Sequence, residues 1–89
     1  MPSYATLVFS DEFLDLLIGG AFTRAEQRRF LRALRLLDTD ERHPSLRVHQ
    51  LQGDLADQWS ASASDSLRIT FRRLPNGRKE LLRCSHHYA

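Results

Sequence analysis

Two histidines and a set of arginines in the second half of this 89-residue chain carry the chemistry it could do: Arg47, His49, Arg68, Arg72, Arg83 and His87. Histidine titrates near neutral pH, so it can take a proton or give one. Arginine stays charged and presents a planar fork of donors that matches phosphate oxygens. Cleaving RNA through its own 2′-hydroxyl needs these groups together: a base for the hydroxyl proton, an acid for the leaving 5′-oxygen, and a cation on the crowded phosphorane between them. All but Lys79 of the thirteen basic residues are arginine, which hints at phosphate or carboxylate partners even though the net charge is only +2. The same pattern also fits a solvated sheet face, or a docking surface for an acidic partner.

These six residues share a surface only if strands of the right parity carry them. After His43-Pro44, where proline disfavours helix at the preceding residue, the apolar spacing changes from three-or-four to two. Strands are predicted over 46–51, 58–63, 67–74 and 79–87, joined by Gly53-Asp54, by Ser64-Asp65-Ser66 and by Pro75-Asn76-Gly77. Asn76-Gly77 is a hairpin signal, because both residues tolerate positive φ. Successive strand side chains point to opposite faces. Leu46 and Val48, then Trp59, Ala61 and Ala63, then Leu67, Ile69 and Phe71, then Leu82 and Cys84 make the inner set. The outer set is Arg47 and His49, Ser60 and Ser62, Arg68, Thr70 and Arg72, and Arg83, Ser85 and His87. A single β-bulge between Leu82 and His87 would exchange His87 with His86. His43, before a proline in a connection, reads as surface.

The first half supplies the layer that covers the inner set. Residues 3–9 read as a strand, and Ser10 caps a short helix through Ile18, with Gly19-Gly20 as its stop. Thr23 and Glu26 form a capping box that opens a second helix, in which Phe30, Leu34 and Leu37 make the apolar stripe. Arg28, Arg32 and Arg35 run along a different line and read as its wet face. The expected fold is α+β over the single domain 1–89: an N-terminal strand, two helices, then a four-stranded antiparallel meander with the helices on one sheet face. Cys84 is alone, which excludes an internal disulfide and a CxxC site, so it is expected to pack in the core; no metal or cofactor is expected. With no apolar run of about 18 residues and no signal-peptide pattern, the chain is expected to be cytoplasmic, without a membrane partner.

Three segments of the second half resemble the YoeB-like branch of the RelE/ParE superfamily, the toxins of type II toxin-antitoxin systems. They are Leu55-Ala56-Asp57-Gln58-Trp59-Ser60, Leu67-Arg68-Ile69-Thr70-Phe71 and Cys84-Ser85-His86-His87-Tyr88. The resemblance implies a metal-independent endoribonuclease that cuts mRNA on the ribosome. It implies that Arg68 stabilises the scissile phosphate, that His87 is the general acid, that Tyr88 orients the substrate or a base, and that a cognate antitoxin is the partner. Two positions depart from the family pattern. His49 stands where a glutamate base is expected, and Ala61 or Ser62 where an arginine follows Trp-Ser, so that Arg47 or Arg83 would have to substitute. The ParE branch shares the fold but poisons DNA gyrase, which leaves a non-enzymatic poison, or a degenerate toxin that only binds protein, as alternatives.

Overall fold

The computed structural model describes residues 4 to 87. Strand β1 is Leu7–Phe9, helix α1 Asp11–Ile18 and helix α2 Arg24–Thr39. Strands β2 (His49–Gln50), β3 (Trp59–Ser64), β4 (Leu67–Arg73) and β5 (Lys79–His86) follow. Helix α1 starts where the extended Ser10 accepts the Phe13 N–H on its Oγ at 3.0 Å, with Asp11 and Glu12 at the positive end of the helix dipole. It stops at Gly19, where a Cβ would stand only 2.4 Å from the Asp15 carbonyl oxygen. The capping box of α2 is complete: Glu26 N–H donates to Thr23 Oγ1 at 3.1 Å, and Thr23 N–H to Glu26 Oε1 at 2.8 Å.

The sheet order is β1-β5-β4-β3-β2. Strands β2 to β5 form the expected antiparallel meander, and β1 joins the far edge parallel to β5, with Leu7 opposite Lys79 and Phe9 opposite Leu81. Helix α1 packs on β5 and α2 on β3 and β4. Phe13, Phe30, Leu34, Leu37, Leu67, Ile69, Phe71 and Leu81 are wholly buried between the layers. Each contributes about 1.5–3 kcal/mol by leaving water. The turn before β5 uses Gly77 at φ +83, and Leu74 N–H closes it on the Arg78 carbonyl at 2.8 Å.

Three strands differ from the alternation read in the sequence; on β3 the outward-read Ser60 and Ser62 are buried, and the register shifts between Ser62 and Ser64, leaving Ala63 as the extra residue. The strand expected over 46–51 shrinks to His49–Gln50, because Pro44–Leu46 winds into a 3₁₀ turn and Arg47 adopts φ +47, ψ +45. His43 does more than lie on the surface: it caps this turn, its Nδ1 accepting the Ser45 N–H at 3.2 Å. Left-handed backbone costs a non-glycine residue roughly 1–2 kcal/mol and ends the pleat, so Arg47 leaves the strand face. On β5 the buried residues are Lys79, Leu81 and Cys84, and Leu82 is only partly buried, contrary to the expectation for Leu82. The register jumps from Thr70 opposite Arg83 to Phe71 opposite Leu81, leaving Leu82 as the extra residue of a bulge. That bulge serves α1, since Ser10 N–H donates to the Leu81 carbonyl at 3.2 Å.

A polar network fastens the end of α2 to the sheet. Thr6 donates its N–H at 2.7 Å and its hydroxyl at 2.6 Å to Asp38 Oδ1. Lys79, only 4% exposed, reaches Thr6 Oγ1 at 3.2 Å and Glu41 Oε1 at 3.6 Å. Arg73 grips Glu41 with both terminal nitrogens, at 3.2 and 2.6 Å, while stacking 4.4 Å from the Trp59 ring centroid. For Glu41, the Arg73 hydrogen bonds hold the carboxyl below its usual range, against burial. For Asp38, burial pushes upward, but the bonds from Thr6 and Ala5 and the Lys79 charge outweigh it, so its pKa is also lowered.

A carboxylate whose native pKa lies below its unfolded value stabilises the fold fully above the ordinary carboxylate range, about pH 4, and loses that contribution as pH falls through the native value. Denaturant unfolding across acid pH should therefore show stability declining below that range. Asp38→Asn or Glu41→Gln should flatten the decline while lowering stability at neutral pH; an unchanged slope in both variants would contradict the role given to this network.

Candidate functional site

The register of the sheet places the outward side chains in rows. His49, Ser60, Thr70 and Arg83 stand opposite one another across β2, β3, β4 and β5. Ser62, Arg68 and Ser85 make the next row. His87 follows Ser85 by two residues, its N–H donating to the Ser66 carbonyl at 2.6 Å. With strands about 4.8 Å apart and two residues spanning about 6.7 Å, the Arg68 backbone lies about 8 Å from His87 and about 12 Å from His49, on the diagonal between them.

The bulge at Leu82 precedes Arg83, so Arg83, Ser85 and His87 keep a common parity while His86 falls on the opposite side, across from Leu67. There His86 is held: its Nε2 lies 2.9 Å from Glu26 Oε2 and its ring packs 4.9 Å from Phe22. The Thr23 N–H, and after it His86, keep the Glu26 carboxyl below its usual pKa. The two adjacent histidines thus take different parts, His86 tying β5 to the start of α2 and His87 standing exposed beside the open face. Tyr88 lies outside the described residues.

Arg68 is fixed by its own hairpin. Its Nη1 donates to the carbonyls of Ser64 at 2.7 Å, Leu67 at 3.0 Å and Asp65 at 3.3 Å. These bonds use one end of the guanidinium, and among the described residues the Nε–Nη2 edge has no partner, which is the edge that grips a phosphate bidentately. Arg83 Nη2 bonds only the neutral Gln58 Oε1, at 3.1 Å, and keeps its charge uncompensated. Arg72 is on the same face but lies 3.4 Å from Glu80 and 3.7 Å from Asp57, so its charge is shared with two carboxylates. Arg47 is off the face altogether, for the backbone reason given above. It lines instead a cleft of about 550 Å³ between α2 and β3, with Arg29 and Arg32. Nothing in the helical stripe marked that cleft. Of its arginines only Arg32 lies on the Arg28, Arg32 and Arg35 line; Arg29 sits one turn before the buried Ala33 and Arg32 directly before it.

His49 is exposed, and its Nδ1 lies 2.9 Å from the Arg47 carbonyl. A carbonyl can only accept, so Nδ1 carries a proton, and in the neutral ring Nε2 is the nitrogen left to take one. That tautomer is the one a general base needs. Cys84 takes no part: it is buried, its Sγ is 3.9 Å from the Phe13 carbonyl, and burial pushes its thiol up to about 11. Among the described residues no three His, Cys, Asp or Glu side chains gather as a metal site requires, and no helix is long and apolar enough to cross a membrane.

No family model matches the chain, and no curated protein does. Solved structures match over nearly its whole length. A YoeB/ParE toxin from Agrobacterium tumefaciens superposes with a TM-score of 0.72 at 23% identity, covering 93% of this chain and 99% of that one. The YoeB-YefM complex from Staphylococcus aureus gives 0.69 at 14% identity, over 92% and 95%. The toxin-antitoxin complex RelBE2 from Mycobacterium tuberculosis gives 0.64 at 20% identity, over 96% and 100%. The fold is therefore that of the RelE/ParE toxins, with β1 as the parallel addition to the meander.

Since the thiolate is the reactive form, Cys84 should react with a thiol reagent at neutral pH only on unfolding. Native-state labelling as fast as that of the denatured chain would show the thiol to be accessible, against the packing described.

Proposed function

We propose that this chain is the toxin of a type II toxin-antitoxin system and acts as a ribosome-dependent mRNA endoribonuclease. The observation that supports the reading is the sheet register, which sets His49, Arg68 and His87 on one diagonal of the open face, with the Arg68 guanidinium anchored by its own turn. Fixed donors aimed where charge develops stabilise a transition state without reorganising. In the reaction, His49 Nε2 takes the proton from the 2′-hydroxyl, and the 2′-oxygen attacks the adjacent phosphorus. Arg68 holds the equatorial oxygens of the phosphorane, with Arg83 adding positive field. Protonated His87 gives its proton to the departing 5′-oxygen. The products are a 2′,3′-cyclic phosphate and a 5′-hydroxyl end. Tyr88, by resemblance, orients the substrate or a base.

The ribosome as the setting, and an antitoxin as the partner, come from the likeness to YoeB and RelE toxins, two of whose matching structures are toxin-antitoxin complexes. A partner that neutralises this protein would have to mask Arg68 and Arg83, which calls for an acidic segment that folds on binding.

Cleavage of a translated mRNA should fall roughly 100- to 10,000-fold for His87→Ala and His49→Ala, the range lost with a general acid or base. Arg68→Ala should lose roughly 100- to 1,000-fold, as for an oxyanion donor. All three should retain the native circular dichroism and no longer arrest growth. Intact transcripts under full arrest by the wild type, or toxicity persisting in Arg68→Ala and His87→Ala, would instead favour a non-enzymatic poison of the gyrase type. Wild-type rates in His49→Ala alone would remove His49 as the base.

A further inference from the structure

The cleft between α2 and the β3 edge is separate from the catalytic diagonal yet continuous with it. Arg29 and Arg32 enter it from consecutive turns of α2, and Arg47 enters from the residue after the 3₁₀ turn, the one described non-glycine residue with positive φ. Among the described residues none of the three guanidinium groups has a hydrogen bond or an ion pair. Asp65 is the one acid in the lining. Three guanidinium groups around one concavity repel each other, and an anion in the cleft would turn that repulsion into attraction. Strained backbone at Arg47 fits the same reading, since such conformations concentrate where a ligand is gripped.

Ser62, itself buried, lies between this cleft and the open face. It lines the cleft and stands directly opposite Arg68 in the sheet register, one strand spacing away. Beyond Ser60 the short strand β2 no longer covers β3, so a chain crossing Arg68 can pass over that edge. Leu36 gives the lining some apolar surface, and the volume of about 550 Å³ is that of a small-molecule site. A nucleotide supplies both halves of what this lining asks for, a flat base for the apolar surface and a phosphate for the arginines.

We propose that this cleft is a second, noncatalytic subsite for a single-stranded RNA segment, holding a nucleotide and its phosphates on the far side of the β3 edge from the phosphate bound at Arg68. The proposal rests on the endoribonuclease reading for its substrate class, but its test does not depend on cleavage. An acidic segment such as the proposed antitoxin shares the charge and would also cover Arg68, but it brings no flat base to the cleft, and it is the competing outcome of the test.

The experiment measures binding of the full chain to a short single-stranded 2′-O-methyl RNA, which cannot be cut, by fluorescence anisotropy over a range of salt. An oligoglutamate of equal charge is the comparison. Each phosphate contact on a single strand adds about 0.7 to the slope of log affinity against log salt, so a triple R29A/R32A/R47A variant should lose about 2 from that slope. The charge-keeping triple R29K/R32K/R47K should retain most of it, and thermal unfolding identifies any variant that fails to fold. Should the triple alanine variant misfold, R29A and R32A, singly on the helix surface, should each lose about 0.7. An unchanged slope in folded variants would overturn the subsite, as would oligoglutamate binding tighter than RNA with the same arginine dependence. RNA binding that follows these arginines in a wild type that cuts no transcript would refute the endoribonuclease reading and leave the subsite standing.

Discussion

Strand β4 is paired on both sides, to β3 and to β5, and cannot rotate about its own axis without breaking two ladders. Its Leu67, Ile69 and Phe71 are wholly buried, and together they contribute roughly 5–9 kcal/mol to keeping that face inward. Arg68, Thr70 and Arg72 are therefore obliged to face outward. A slip of one residue would bury two guanidinium groups, so the register is fixed by the cost of the alternative. The outward position of Arg68 is a by-product of the core.

Helix α2 then holds the sheet at both ends. Glu26 in its first turn engages His86 at the end of β5, and Asp38 near its last turn engages Thr6 beside β1. These residues are twelve positions apart, about 18 Å along the helix. The effect on function is indirect but specific. With His86 occupied on the inner side, the next residue is delivered to the outer side, and the Ser66 carbonyl holds it there through the His87 N–H. The bulge at Leu82 belongs to the same device, since it satisfies the start of α1 while leaving the parity of Arg83, Ser85 and His87 intact.

Charge on the open face is graded along the strands. Towards Arg72 the field is compensated by Glu80 and Asp57, and towards Arg68 and Arg83 it is not. An exposed ion pair contributes little to stability, so the pairing of Arg72 matters chiefly for where an anion is drawn. Uncompensated positive charge is left at the end of the face where His87 stands and towards the edge where the arginine cleft opens.

The elements themselves were legible in the sequence wherever their cause is local. Ser10 and the Thr23–Glu26 box fix helix starts through contacts three residues apart, and Asn76-Gly77 fixes a turn through its own backbone. The alternation of residues 67–73 fixes which of its side chains face water, and with it Arg68. Where a neighbouring element intervened, the period-two reading failed. Arg47 was counted on the strand face because the 3₁₀ turn that lifts it off needs His43 as a cap and β3 as a support. Leu82 was counted inward because the bulge answers a need of α1, seventy residues earlier in the chain, for carbonyl partners. The pairing of Arg72 and the convergence of Arg29, Arg32 and Arg47 were beyond the sequence for the same reason. Side-chain periodicity and capping are short-range properties that the residues themselves determine. Bulges, left-handed exits and charge compensation arise from groups brought together through space, which only the tertiary structure decides.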